Sequence, residues 1–337
     1  MVEVALKVGG ELHRGWKDIK IVRNLARPAD AFNLTLTRLE GIKEGSACEV
    51  WHGDAKVLSG YVDEVLPEYD AKTSSLQVVG RSKAADLVDC SLPGQQFNNL
   101  DLLTIARSLA DPFGIDITAV ADIGGPFKTR VLEPGQPIYE FLDELARIRG
   151  VRFVPNVDGD LIITRSGATR IETPLVLGEN IIKASGRFSS AQRFSEYTAV
   201  SQQSADDQTW GNAAANLRST AQDKDITRYR PSTVQVDGPG NSDDCGRRIV
   251  THRNRRHAEG QGVTYTVNNW QHSDGLWMPN NLVLVKDSIM GINDDRLITE
   301  VRLTLNEKGE RTELRVMPKE AFDLAPLPEK SKVEAWQ

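Results

Sequence analysis

From the N-terminus to about residue 82, apolar side chains recur at every second position. Val2, Val4, Leu6 and Val8 alternate with polar or small neighbours up to a Gly9-Gly10 turn. Ile19, Ile21 and Arg23 continue the alternation, and Phe32, Leu34 and Leu36 interleave with Asn33, Thr35 and Thr37. Residues 49–52 run into Gly53-Asp54, residues 57–66 return, and residues 76–79 close the series. A period of two places every apolar side chain on one face of an extended strand. Short strands of this kind, punctuated by Gly, Asp and Pro, predict a small β-barrel or sandwich.

The period then changes. Leu100, Leu103, Ala106, Leu109 and Phe113 recur at helical spacing, with Asn98 or Asn99 available as N-cap and Asp111-Pro112 and Gly114 as a stop. A second helix runs from Pro137, which suits a first helical turn, through Phe141, Leu142, Leu145 and Ile148 to Gly150. Residues 151–154 and 161–163 flank Asp158-Gly159, a hairpin signature. Residues 94–185 therefore read as a compact α+β module. Alternation resumes at 197–203, 263–270, 282–285, 297–305 and 312–317. Between the first two lies a polar stretch of weak periodicity, 204–260, in which a short helix is expected from Ser242 with Asp243 and Asp244 in its first turn.

The expected fold is thus β-rich α+β. A first β-barrel spans 1–93, an α+β module 94–185, and a second β-barrel 186–203 with 261–318. A polar subdomain at 204–260 is inserted in that second barrel, and 319–337 forms an extended tail containing Pro326, Pro328 and Trp336.

Composition narrows the function classes. The chain has 337 residues, with 41 Lys and Arg against 47 Asp and Glu and a net charge of −6. The excess is spread evenly over the three regions, which weighs against a dedicated nucleic-acid reader. No apolar run is long enough to span a membrane as a helix. An acid at position 3 and an alternating start do not resemble a secretory signal, so synthesis and residence in a cytoplasm are expected, at least at first. Cys48, Cys90 and Cys245, odd in number and far apart, suit isolated reduced thiols.

Candidate chemistry is sparse. No phosphate loop or nucleophile elbow is present; 124–129 fails the first by spacing and 80–84 lacks the final glycine of the second. His252 and His257 stand five apart, which puts them on different faces of a helix and not on the shared face a zinc site uses. The acidic pairs Asp63-Glu64, Asp143-Glu144, Asp206-Asp207, Asp243-Asp244 and Asp294-Asp295 are each able to supply one acid, but glycoside hydrolysis needs two converging carboxyls. Neighbouring acids on a strand or helix point apart, so solvated faces are the simpler reading. The one local charge feature is the run from Arg247 to His257, with Arg248, His252, Arg253, Arg255 and Arg256 and no acid between Cys245 and Ala258. It suits either phosphate binding or a helix face paired with neighbouring acids or another subunit. No catalytic, cofactor-binding or metal-ligating residue is assigned.

Four stretches carry a family resemblance. They are Trp16, Ile19 and Arg23 with Phe32-Asn33-Leu34-Thr35-Leu36-Thr37; Val79-Gly80-Arg81-Ser82-Lys83-Ala84-Ala85-Asp86-Leu87-Val88-Asp89-Cys90-Ser91; residues 137–164; and Leu276-Trp277-Met278-Pro279-Asn280 with Val283, Val285, Gly291-Ile292 and Leu297-Ile298. In this order they resemble the baseplate hub proteins of Mu-like contractile-tailed bacteriophages, the P-protein family, relatives of the T-even phage hub and of the type VI secretion spike trimer. The resemblance implies a structural, non-enzymatic virion component without cofactor. Two similar barrels per chain would let a homotrimer form a pseudo-sixfold ring, joining the tail tube to a trimeric membrane-piercing spike in the tail baseplate. The chain would assemble in the host cytoplasm, bind no specific nucleic-acid sequence while DNA passes through the ring, and insert no segment in the membrane. The alternatives are a type VI-like secretion spike component, for which 337 residues leave no room for a fused needle, and a carbohydrate- or peptidoglycan-cleaving tail enzyme. The tail from Lys319 is expected to touch the spike or a neighbouring subunit. The family assigns no role to the basic run.

Overall fold

The computed structural model describes residues 3–37, 41–201, 217–235 and 242–324. The alternating N-terminal region forms β1 (Val4–Val8), β2 (Glu11–His13), β3 (Asp18–Asn24), β4 (Ala31–Leu36), β5 (Ala47–His52), β6 (Ala55–Tyr69) and β7 (Ser74–Ser82). Their inward positions, Leu6, Ile19, Ile21, Phe32, Leu34, Val50, Leu76 and Val78 among them, enter one hydrophobic core. Two glycines let β6 and β7 approach. A Cβ at Gly60 would strike the Arg81 carbonyl, and one at Gly80 the Tyr61 carbonyl and the Phe32 ring.

The middle module holds α1 (Ala85–Asp89), β8 (Gln95–Leu100), α2 (Leu102–Ala110), β9 (Ile117–Ala119), β10 (Phe127–Leu132), α3 (Ile138–Arg149), β11 (Arg152–Pro155) and β12 (Leu161–Thr164). It has its own core, in which Leu102, Ile105 and Leu109 of α2 meet Phe141, Leu142 and Leu145 of α3. The cap of α2 differs from expectation. Asp101 caps it, accepting 2.8 Å from the Thr104 amide, while Asn99 sits at φ 52° in the preceding strand. Pro137 caps α3 from outside its first turn, and Gly150 ends it at φ 66°. Strands β8 and β10, which pair with each other, carry their buried apolar residues at spacings that show no period of two.

The C-terminal half contributes β13 (Thr169–Arg170), β14 (Leu175–Val176), β15 (Ile181–Phe188), β16 (Glu196–Ser201), β17 (Leu217–Gln222) and β18 (Pro231–Gln235). These are followed by α4 (Ser242–Glu259), β19 (Gln261–Val267), β20 (Gln271–His272), β21 (Gly275–Leu276), β22 (Asn281–Asp287), β23 (Ile292–Asn306) and β24 (Gly309–Met317). Two expectations change here. The helix from Ser242 is not short: it runs for 18 residues, because no proline interrupts it before Gly260. Strand β16, expected in the second barrel, pairs instead with β17 and β18, and α4 packs on this small sheet through Tyr197, Ala199, Ala221, Cys245 and Ile249.

The β-rich α+β class is as expected, but among the described residues no sheet closes into a barrel. The two β-rich regions instead share one continuous sheet in the order β15-β19-β24-β23-β3-β4-β7-β6-β5-β1-β2, with β22 on β23 and β13 and β14 on β22. The reason lies in β23. Its first half pairs with β22, from Asp287↔Ile292 to Leu282↔Leu297. A bulge follows between Ile298 and Glu300, and from Glu300 onward β3 takes the same edge, from Glu300↔Asn24 to Leu305↔Ile19. A bulge bends its strand and re-aims the edge, so the strand that leaves one region's pairing enters the other's.

Gly80→Val is expected to lower stability by about 3 kcal/mol through overpacking. Urea denaturation checks this; an unchanged midpoint would show that β6 and β7 do not need the close approach.

Candidate functional site

The densest polar chemistry lies where β3 meets β23. Arg23, the last inward position of β3 after the apolar Ile19 and Ile21, is wholly buried and stands 3.2 Å from the equally buried Asp30. Its guanidinium also donates to the Val57 carbonyl and meets the Met278 sulfur, so it ties β3 to β6 and to the segment before β22. Asp30 is held by reciprocal contacts with Ser82: its amide donates to the hydroxyl at 3.1 Å, and its carbonyl accepts from the Ser82 amide at 2.8 Å. Burial pushes the Asp30 carboxyl up to about 6, with Arg23 pulling the other way. Burial likewise lowers Arg23, opposed by Asp30.

A second polar contact links the same two β-rich regions. His52 at the end of β5 stands 3.1 Å from Glu310 in β24 and stacks on the Trp270 ring at 4.8 Å. Trp270 is fully buried and donates its indole N–H to the Thr304 carbonyl at 3.0 Å. Asn269 at φ 61° turns the chain so that this ring enters the core, and its carbonyl accepts from Thr312 at 2.6 Å.

The acidic pairs do not converge. Asp63 pairs with Arg81, Asp143 with Arg147, Asp294 with Arg296 and Asp295 with Arg170. Glu144 accepts from the Gln136 amide. Asp206-Asp207 and the side chains of Asp243-Asp244 lie outside the described residues. Among the described residues no group of three or more His, Cys, Asp and Glu is arranged to hold a metal, and no helix is long and apolar enough to cross a membrane. His252 leans edge-on against Tyr197, whereas His257 meets Gln261 and Asp225.

In the basic run, Arg255 and Arg256 both pair with Glu259, the acid just past the acid-free stretch, and Arg253 donates to the Gln222 carbonyl. Two of these arginines are thus paired along their own helix and the third with a backbone carbonyl of β17, not with acids of a neighbouring element. Of the expected tail, residues 319–324 are described: the Phe322 carbonyl accepts from Arg152 at 2.6 Å and from Ser166 at 2.7 Å, which fastens the tail's start to the middle module. Trp336 lies outside the described residues. Cys48 and Cys245 are buried free thiols, and burial together with Asp63 and Glu49 pushes Cys48 up to about 12.

Comparison with known proteins supplies what the local chemistry does not. The model for the N-terminal domain of the Mu phage baseplate assembly protein GpP-like family matches residues 3–82. The baseplate hub protein gp44-like second domain matches 84–165, and the fourth domain of Mu phage GpP matches 243–325. The baseplate hub protein gp44 of Escherichia phage Mu is 31% identical over 336 residues, covering 95% of this chain and 88% of that protein. The chain belongs to the Mu-type baseplate hub family. A 43 kDa tail protein of prophage MuSo2 from Shewanella oneidensis, known as a crystal structure, is 35% identical with a TM-score of 0.87, covering 96% of this chain and 100% of that one. The E. coli c3393 protein, a type VI secretion component, shares the fold alone, at 12% identity and a TM-score of 0.59 over 96% of this chain and 80% of its own.

Within this hub protein, the N-terminal match ends with β7 and the fourth-domain match contains β19 to β24. The joint between β3 and β23 therefore unites the first and last of the matched domains. Arg23 was visible as a charged residue at an inward strand position. Asp30, His52, Trp270 and Glu310 gave no such signal, because their partners lie more than two hundred residues away or across a turn.

Removing Arg23 leaves Asp30 buried without a counter-charge, so Arg23→Ala is expected to cost about 3–5 kcal/mol, while Arg23→Met with Asp30→Leu recovers most of the loss. Urea denaturation of the three proteins checks this; a double variant as unstable as the single one would contradict it. Because the folded Asp30 holds its proton up to about 6 and an unfolded aspartate only to about 3.9, its contribution is greatest below pH 4 and is lost as pH rises through 6. The stability of wild type relative to Asp30→Asn should therefore fall between pH 4 and pH 7. A flat difference across that range would contradict the assignment.

Proposed function

We propose that this hub subunit forms a homotrimer whose ring is pseudo-sixfold, adapting a sixfold tail tube to a threefold spike. The observation that carries this reading is an internal duplication of pairing order. In the N-terminal region the order is β3-β4-β7-β6-β5, and in the C-terminal region it is β15-β19-β24-β23-β22. The fourth strand of each series has fifteen residues and a bulge against the strand that follows it, between Val62 and Glu64 in β6 and between Ile298 and Glu300 in β23; β6 has a second irregularity, against β5. Each is followed by a nine-residue strand. Two such units per chain and three chains supply six near-equivalent units to one ring while keeping exact threefold symmetry, the mismatch an adaptor must bridge.

The sheet face turned away from the core supports passage of DNA without capture. It carries Asn33, Thr35, Gln77, Thr264 and Thr304, its Arg302 is paired with Glu300 and Glu313, and the exposed Lys20 and Arg315 stand singly among these groups. Cations separated by neutral and acidic neighbours form no continuous basic track for phosphates. The role is structural, without catalysis, in the virion tail baseplate, after assembly in the host cytoplasm with spike and tube proteins. The domain division proposed from the sequence (1–93, 94–185, 186–203 with 261–318, 204–260 and 319–337) is kept with two changes made because of pairing: residues 169–185 move from the middle module to the second β-rich region, and Glu196–Ser201 moves to the inserted subdomain. A secretion-spike subunit is the second reading, favoured by the fold shared with the type VI component.

Mass measurement in solution tests the proposal. A species of roughly three chain masses that captures a spike trimer is expected, and a stable monomer that hydrolyses cell-wall polymer would overturn it. Deleting 319–337 is expected to weaken spike co-purification; unchanged capture would remove the tail from the interface.

A further inference from the structure

We propose that successive copies of this chain join edge to edge, the distal half of β6 on one copy pairing antiparallel with β15 of the next, in the register that β23 and β3 use inside the chain. The inference rests on the ring reading above and specifies its joint.

Every strand in one repeat has a counterpart in the other, fixed by pairing. Val62 and Phe32 both pair with Gly80, and Ile298 and Val263 both pair with Val316. Val62 and Ile298 each stand immediately before the bulge and so correspond, which makes Phe32 correspond to Val263. Ile21 pairs with Phe32 and Gly186 with Val263, so Ile21 corresponds to Gly186. Inside the chain, the half of β23 beyond the bulge pairs with β3. Its counterpart, the half of β6 from Glu64 to Tyr69, has β7 on one edge and no strand on the other among the described residues. The counterpart of β3 is β15, which among the described residues pairs with β19 alone. The molecule thus carries one filled joint and the two unfilled halves of a second joint of the same kind.

Transferring the internal register gives a definite contact list. Glu300↔Asn24, Arg302↔Val22, Leu303↔Ile21 and Leu305↔Ile19 inside the chain become Glu64 opposite Ser189, Leu66 opposite Arg187, Pro67 opposite Gly186 and Tyr69 opposite Ala184 of the next copy. Two observations that played no part in setting this register agree with it. The free strands carry large exposed apolar side chains: Leu66 at 45%, Tyr69 at 78%, Ile182 at 48% and Phe188 at 57% exposure. An exposed edge with such residues is an association site unless it is covered. The charges also match. The β6 segment bears Glu64 and Glu68, and β15 bears Lys183 and Arg187. In the transferred register Arg187 falls on the face of Glu64 and Glu68, diagonal to both, where cross-strand opposite charges attract. Val65 and Phe188 come opposite on the other face. Pro67 has no N–H to add to the ladder, a device that keeps an edge strand from pairing indiscriminately.

The test is cysteine cross-linking of the full chain in a Cys90→Ser background. Directly opposed antiparallel residues stand about 4.5–5.5 Å apart between Cα atoms, within disulfide reach. Leu66→Cys with Arg187→Cys in one chain is expected to give a covalent trimer on non-reducing gels. Glu64→Cys with Ser185→Cys, four residues out of register, should not. In parallel, Glu64→Lys with Glu68→Lys is expected to weaken association at least ten-fold by sedimentation, and adding Lys183→Glu with Arg187→Glu to restore it. These are exposed edge positions, and circular dichroism confirms that each variant folds. A trimer that forms without the Leu66–Arg187 cross-link, or that ignores the charge reversals, would overturn this joint while leaving the ring standing. A chain that stays monomeric at all concentrations would overturn both.

Discussion

The pairing of β3 with β23 is the constraint on which the rest of the structure depends. It brings residue 19 against residue 305 and makes one sheet out of two regions separated by the whole middle module. A joint of this sequence separation must repay a large loop-closure cost before its contacts contribute. The polar groups clustered there raise the stakes. Arg23 and Asp30 are a buried ion pair, and such pairs are costly to break although they add little over apolar packing. What the pair does secure is register: Arg23 reaches Val57 and Met278 only if β3, β6 and the segment before β22 are aligned.

With the sheet fixed, the other parts hang from it at defined places. The middle module is held to the N-terminal region through Lys56 with Asp158 and Lys83 with Asp160, and to the chain's end through Arg152, Ser166 and the Phe322 carbonyl. The small sheet of β16, β17 and β18 with α4 has its own core and meets the rest where Ala258 packs with Met317 and Ala321. A hub protein with one continuous sheet and peripheral modules on separate cores can present different surfaces to different tail proteins without altering that sheet.

The strands were legible because their alternation is strong. Phe32, Leu34 and Leu36, or Val301, Leu303 and Leu305, alternate with polar positions and are buried as that pattern requires. Strands β8 and β10 were missed because neither shows a period of two: the apolar Phe97 and Leu100 of β8 stand three apart, and the buried Phe127 and Leu132 of β10 five apart. The joining of the two regions was illegible for a different reason. Each region read alone predicts closure on itself, and only the edge handover at the Ile298–Glu300 bulge, a property of pairing and not of composition, opens that closure and fuses the sheets. The same holds for the chemistry. The basic run suited either phosphates or a paired helix face, and its sequence did not show that Glu259, one residue past the acid-free stretch, partners Arg255 and Arg256. The most demanding polar contact, Arg23 with Asp30, looked like two unrelated residues.

The account's central claim is that one chain supplies two equivalent units to a single ring. Negative-stain microscopy of the purified assembly with class averaging tests this most directly. The account predicts an annulus of six near-equal lobes with exact threefold symmetry about an open centre. Averages showing three lobes, or isolated particles of single-chain size, would contradict it.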